Sequence, residues 1–141
     1  MITIYYSKKV SCPISKKTLE KVARGAARLE PKIKGAVEVT IVGDKEIQKL
    51  NHRYRGINKV TDVLSFAWSE DRQIKSAVLG ELFISYSQIV RQAKEFKVSA
   101  REEFIRMFVH GLLHLVGYDH VKSSEAKKMF ALQEELVQKF V

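Results

Sequence analysis

The segment from Phe104 to Val116 constrains the fold more than any other part of the chain. Phe104, Ile105, Met107, Phe108, Val109, Leu112, Leu113, Leu115 and Val116 leave no broad polar face. A helix that is apolar nearly all round belongs at the centre of a domain. Ser99 and Glu102 stand ahead of it at capping-box spacing, which predicts a helix over 100–116. Yet this buried helix carries two histidines, His110 and His114.

The rest of the pattern predicts what covers that helix. Residues 1–6 read as a strand, and 15–29 as an amphipathic helix with Leu19, Val22, Ala23 and Ala26 inward. Val37, Val39 and Ile41 alternate with Glu38 and Thr40 as in a half-buried strand. Asp44 suits the N-cap of a helix reaching about Tyr54, with a loop at 56–59. Two further strands are expected, from Asp62 to Trp68 and from Leu79 to Ser85. Helices are expected near 87–97 and 124–140, the last with a face of Ala126, Met129, Phe130, Gln133, Leu136, Val137 and Phe140. With neither linker nor repeat, residues 1–141 read as a single α+β domain. Its architecture is a small mixed four-stranded sheet packed with about five helices.

Composition excludes several roles. A chain of 141 residues, 45% hydrophobic, can bury a core without a disulfide or metal staple. No apolar run approaches the roughly 18 residues of a membrane span. The N-terminus reads as a strand running into Ser7-Lys8-Lys9, not as a signal peptide. Cys12 is the single cysteine, which excludes an internal disulfide and fits a reducing cytoplasm. Membrane, secreted and fibrous roles fall away.

The net charge of +9 is concentrated early, with nine Lys/Arg against two Glu in residues 1–35. Lys17, Lys21, Arg24 and Arg28 recur on one helical face. Such a stripe fits either a solvated surface or a track for a polyanion, which binds by releasing counterions.

Three of the four histidines fall within His110-Gly111-Leu112-Leu113-His114-Leu115-Val116-Gly117-Tyr118-Asp119-His120. His110 and His114, at i and i+4, share a helix face one turn apart and can meet one ion. Gly117 suits a left-handed turn that brings His120 to a third corner. Three neutral imidazoles with a fourth position open form a catalytic zinc arrangement, one ion per chain. The spacing matches H-E-x-x-H-x-x-G-x-x-H of metalloproteases except at Gly111, where the glutamate base is missing. Peptide hydrolysis is therefore disfavoured, and Gly111 is expected to leave room beside the metal for a bulky substrate. His52, among Asn51, Arg53 and Arg55, reads as a surface residue.

The histidine block resembles the metal-site signature of the YbeY family, bacterial single-strand-specific endoribonucleases of rRNA maturation. Leu50-Asn51-His52-Arg53-Tyr54-Arg55-Gly56 and Thr61-Asp62-Val63-Leu64-Ser65-Phe66 agree with it, as does Leu79-Gly80 more weakly. Ala67 and Glu81 depart from the family's usual proline and aspartate. The resemblance implies that His110, His114 and His120 bind zinc in a metzincin-like geometry, with Arg55 beside them in the substrate cleft. Arginine suits that place because its planar fork matches phosphate oxygens and stays charged. Asp62 and Asp119 are candidates for supporting groups with no assigned role. The implied function is zinc-dependent cleavage of single-stranded RNA in rRNA maturation and ribosome quality control, with ribosomal RNA or ribosomal subunits as partners. Two alternatives remain: a metal-dependent hydrolase of another substrate, and a non-catalytic zinc-stabilised RNA- or ribosome-binding factor.

Overall fold

The computed structural model describes residues 2–68, 78–118 and 123–141. Its element order is β1 (Ile2–Lys8), α1 (Lys16–Leu29), β2 (Gly35–Val42), α2 (Asp44–Arg55), β3 (Val63–Ala67), β4 (Val78–Ser85), α3 (Tyr86–Phe96), α4 (Ala100–Leu115) and α5 (Ser123–Phe140). The four strands form one mixed sheet in the order β1-β2-β4-β3. The first three in that order run parallel, and β3 lies antiparallel on β4 at the edge. The expected α+β class is therefore observed, with strand and helix limits within two residues of the expected ones.

Strand alternation assigns the two faces of the sheet. Ile4, Val37, Val39, Ile41, Leu82 and Ile84 join the main core with α1, α4 and α5. Leu64, Phe66 and Phe83 point the other way and pack with Val42 and Ile47 of the α2 side. In α4, Phe104, Ile105, Phe108, Val109, Leu112 and Leu113 are fully buried, as an all-round apolar helix requires. Burial of each such side chain contributes on the order of 1.5–3 kcal/mol. Ser99 caps the helix, its hydroxyl accepting from the Glu102 N–H at 3.0 Å.

Two glycines let α4 lie close to the sheet. A Cβ on Gly111 would stand 2.9 Å from Leu82 Cδ2 and 3.3 Å from Ser65 Oγ. A Cβ on Gly80 would meet the Phe66 carbonyl at 2.5 Å and Leu115 Cδ2 at 2.6 Å. Gly111 therefore faces β3 and β4, not the space beside the histidines. The expectation that it makes room for substrate is overturned: it makes room for the sheet.

Two local expectations also change. Gly43 precedes α2 as its N-cap, and Asp44 is the first helical residue. Asp44 instead accepts hydrogen bonds from Ser85 Oγ at 2.9 Å and Arg91 Nη2 at 3.0 Å. The fixed charge of Arg91 holds its carboxyl below the usual range despite partial desolvation. Phe130 is exposed, because the inward face of α5 narrows to Met129, Gln133, Leu136 and Val137.

Glu81 on β4 sits directly opposite Glu38 on β2. Desolvation, then the neighbouring Glu38 carboxylate, push its pKa above the ordinary value. The native state thus holds this proton more tightly than the unfolded chain, and that contribution to stability is lost as pH rises through the raised pKa. Glu81→Gln should raise Tm relative to wild type at neutral pH, with a gap that closes towards about pH 4; thermal melts across that range measure it. Gly111→Val should destabilise the fold by about 1–3 kcal/mol through overpacking against Leu82, as read from urea denaturation.

Candidate metal centre and cleft

The end of α4 is set by a glycine turn. Gly117 has a φ of 96°, the left-handed region that a residue without Cβ occupies at no steric cost. Its N–H donates to the His114 carbonyl and the Tyr118 N–H to the Leu113 carbonyl, both at 3.1 Å. This paired closure ends the helix one residue beyond His114 and folds the chain back. The Tyr118 side chain is tied down as well, its hydroxyl donating to Glu30 Oε2 at 2.5 Å across a separation of 88 residues.

That turn orients His114. Its Nδ1 lies 2.8 Å from the Tyr118 carbonyl oxygen. A carbonyl only accepts, so Nδ1 carries the hydrogen and Nε2 keeps its lone pair. His110 is oriented from a different helix, its Nδ1 lying 2.8 Å from Gln133 Oε1 on α5. Here too the oxygen requires an Nδ1–H. The two Nε2 atoms then face each other 3.0 Å apart, with the ring centroids 4.5 Å apart and the rings near perpendicular at 82°.

This arrangement fits a metal ion. Lone pairs of two acceptors repel at that distance unless positive charge lies between them. Two nitrogens on one tetrahedral zinc, each at about 2.0–2.1 Å, stand about 3.3 Å apart, within a few tenths of the spacing seen. Among the described residues no group of three His, Cys, Asp or Glu side chains gathers as a metal site. The expected third histidine, His120, lies outside the described residues, as does Asp119. Cys12 is buried in the main core beside Tyr6 and does not line the histidine cleft.

Both histidines open onto a cleft of about 570 Å³ between α4 and the edge strand β3. Arg55, Thr61, Asp62, Ser65 and Phe66 line it with them. The fold brings Arg55, His110 and His114 to one cavity. Arg55 is the last residue of α2, which stops at Gly56 in the left-handed region with φ 71°. Buried Asn51 pins the following loop, donating from Nδ2 to the Lys59 carbonyl at 2.9 Å. The ring of Tyr54 meets that of Phe66 edge-on at 5.2 Å and seats the end of α2 against β3. Asp62 accepts from the Val63 N–H at 2.7 Å and from Gln92 Nε2 at 3.2 Å.

A second hollow of about 550 Å³ adjoins the first, sharing Ala67 and His114, and brings Lys32 and Lys34 to its rim. Sequence reading missed this hollow because both lysines fall in the α1–β2 connection, away from any motif. Gln133 appeared only as a position on a mostly apolar face, although a polar residue on such a face was the available signal. The basic stripe Lys17, Lys21, Arg24 and Arg28 is exposed on α1 and lines neither hollow. His52 is exposed, as expected.

A family description for "Endoribonuclease YbeY" matches residues 4–141. The chain belongs to the YbeY family. Similar proteins include "Endoribonuclease YbeY" of Ureaplasma urealyticum, 47% identical over 100 residues, which are 71% of this chain and 64% of that protein. The protein of the same name from Bacillus licheniformis is 41% identical over 131 residues, covering 86% of this chain and 83% of the relative. This YbeY-family chain thus spans about 64% of the length of the Ureaplasma relatives it matches. The solution structure of a Thermotoga maritima protein superimposes with a TM-score of 0.66 at 27% identity, covering 98% of this chain and 89% of that one. No helix among the described residues is long and apolar enough to cross a membrane.

The Glu30 bond and desolvation push the Tyr118 phenol up to about 12. In return the phenol hydrogen holds the Glu30 carboxyl below its ordinary value. Glu30→Gln should return the phenol towards about 10, as followed by NMR titration of the Tyr118 ring. An unmoved titration would place the cause elsewhere.

Proposed function

We propose that residues 1–141 form one metal-dependent hydrolase domain that cleaves single-stranded RNA, with ribosomal RNA or ribosomal subunits as its partners. The observation that carries this reading is the pair of Nε2 atoms 3.0 Å apart in the cleft that also holds Arg55, within a YbeY-family chain. The activity for which the relatives are named, endoribonuclease, agrees with it. His120 would be the third ligand of one zinc ion per chain, completing a metzincin-like set with His110 and His114. The setting is rRNA maturation and ribosome quality control in the cytoplasm.

Zinc, when bound, supplies Lewis-acid polarisation of a phosphodiester and a lowered pKa for water. The protein's own groups do the rest. Gln133 and the Tyr118 carbonyl keep both Nε2 lone pairs directed at the cleft. Arg55 offers a charged, planar fork to phosphate oxygens, so it is placed to offset negative charge that builds on the phosphate during cleavage. The cleft lies between β3 and α4. An endonuclease must hold nucleotides on both sides of the bond it cuts. The adjoining hollow supplies that far side, with Lys32 and Lys34 as cations for its phosphates.

His114→Ala should remove both bound zinc and RNA cleavage while circular dichroism shows a folded chain. Arg55→Ala should keep the zinc and lower the cleavage rate about 10²–10³-fold, the usual loss for one transition-state donor. Cleavage retained by zinc-free His114→Ala would assign the activity elsewhere, and zinc lost from Arg55→Ala would make Arg55 structural. A zinc-loaded wild type that leaves single-stranded RNA intact would favour a binding factor or another substrate.

A further inference from the structure

Gln133 is 2% exposed, yet it is a polar residue in the apolar interface of α5 and α4. A buried amide is costly unless its donors and acceptor are matched. Here each end has a partner of opposite kind. Its Nε2 donates to Glu134 Oε2 at 3.2 Å, and its Oε1 faces His110 Nδ1 at 2.8 Å.

The neighbouring groups exclude the reversed amide. A carboxylate only accepts, so Glu134 must face the NH₂ end. Glu134 is itself gripped by Arg106, whose Nε and Nη2 donate to its two oxygens at 2.9 Å each. Arg106 also donates to Glu102 and Glu103, both at 3.0 Å. A guanidinium does not lose its proton, so the direction of the chain is fixed at its far end. Permanent cation, carboxylate, amide and imidazole follow in order, and each sets the polarity of the next.

We propose that Gln133 is a positioning residue for the metal centre. Its side-chain oxygen holds the hydrogen of His110 on Nδ1 and so presents the Nε2 lone pair to the ion, with the Arg106–Glu134 pair setting the direction of its amide. This assignment rests on the zinc reading above. A reversed amide would turn Nδ1 into the acceptor and move the hydrogen to Nε2, where it would block coordination.

The test uses the full metal-free chain, titrated with zinc against a chromophoric chelator, as wild type, Gln133→Leu and Glu134→Ala. Glu134→Ala leaves Gln133 in place and removes only the group that directs its amide, so it decides the matter even if Gln133→Leu fails to fold. Zinc affinity should fall about 10–100-fold in Gln133→Leu and nearer the lower figure in Glu134→Ala, the usual range for groups that orient a ligand. In zinc-loaded wild type the His110 Nδ1–H should be visible by NMR as a slowly exchanging proton, and Gln133→Leu should lose it. Wild-type affinity and an unchanged Nδ1–H signal in the folded variants would overturn the assignment alone. A wild type that takes up no zinc would overturn the metal reading itself.

Discussion

The structure depends on how closely one apolar helix lies against an edge of the sheet. α4 reaches β3 and β4 because Gly111 and Gly80 present no side chains at the points of contact, leaving the space to Leu82 and Leu115. Dispersion and hydrophobic burial both reward that approach, and both fall off within about an ångström of separation. The same packing places His110, next to the contact residue, at the wall of the cleft. A helix held farther away would widen the cleft and separate the histidines from β3.

Polar chemistry on so apolar a helix has to be supported from outside it. His114 is oriented by the Tyr118 carbonyl, and Tyr118 is itself fixed by the Gly117 turn and by Glu30 at the end of α1. His110 is oriented from α5. Arg55 comes from α2, on the opposite side of the sheet from the main core. Four helices thus support one small cavity, although its walls are α4, the end of α2 and the edge strand β3 with the residues just ahead of it.

The elements were readable because local patterns and tertiary packing agree. The all-round apolar run, the Ser99 cap, the Val37–Ile41 alternation and the Gly117 stop each state a local preference that the packed structure keeps. His110 and His114 stand out by their spacing and Arg55 by the family resemblance, and the fold sets all three on one cavity. The misreadings share another cause. Gly111 was assigned to the substrate side because the peptidase pattern drew attention to the missing glutamate, whereas helix rotation turns that position by about 100° from His110 towards the sheet. Asp44 looked like a cap until the partners Ser85 and Arg91, over forty residues away, claimed its carboxylate. Lys32 and Lys34 carry no local signature, and Gln133 only that of a polar residue on an apolar face; their importance arises from what the fold sets beside them.

The bracing of the two imidazoles has a consequence for where order is bought. A mobile ring gives up rotamer entropy at the moment it captures a guest. These rings give it up during folding, to an amide on one side and a carbonyl on the other. The cavity consequently behaves as a template and not as a trap: an arriving species is sorted by its charge and radius, and α4 needs no rearrangement to receive it.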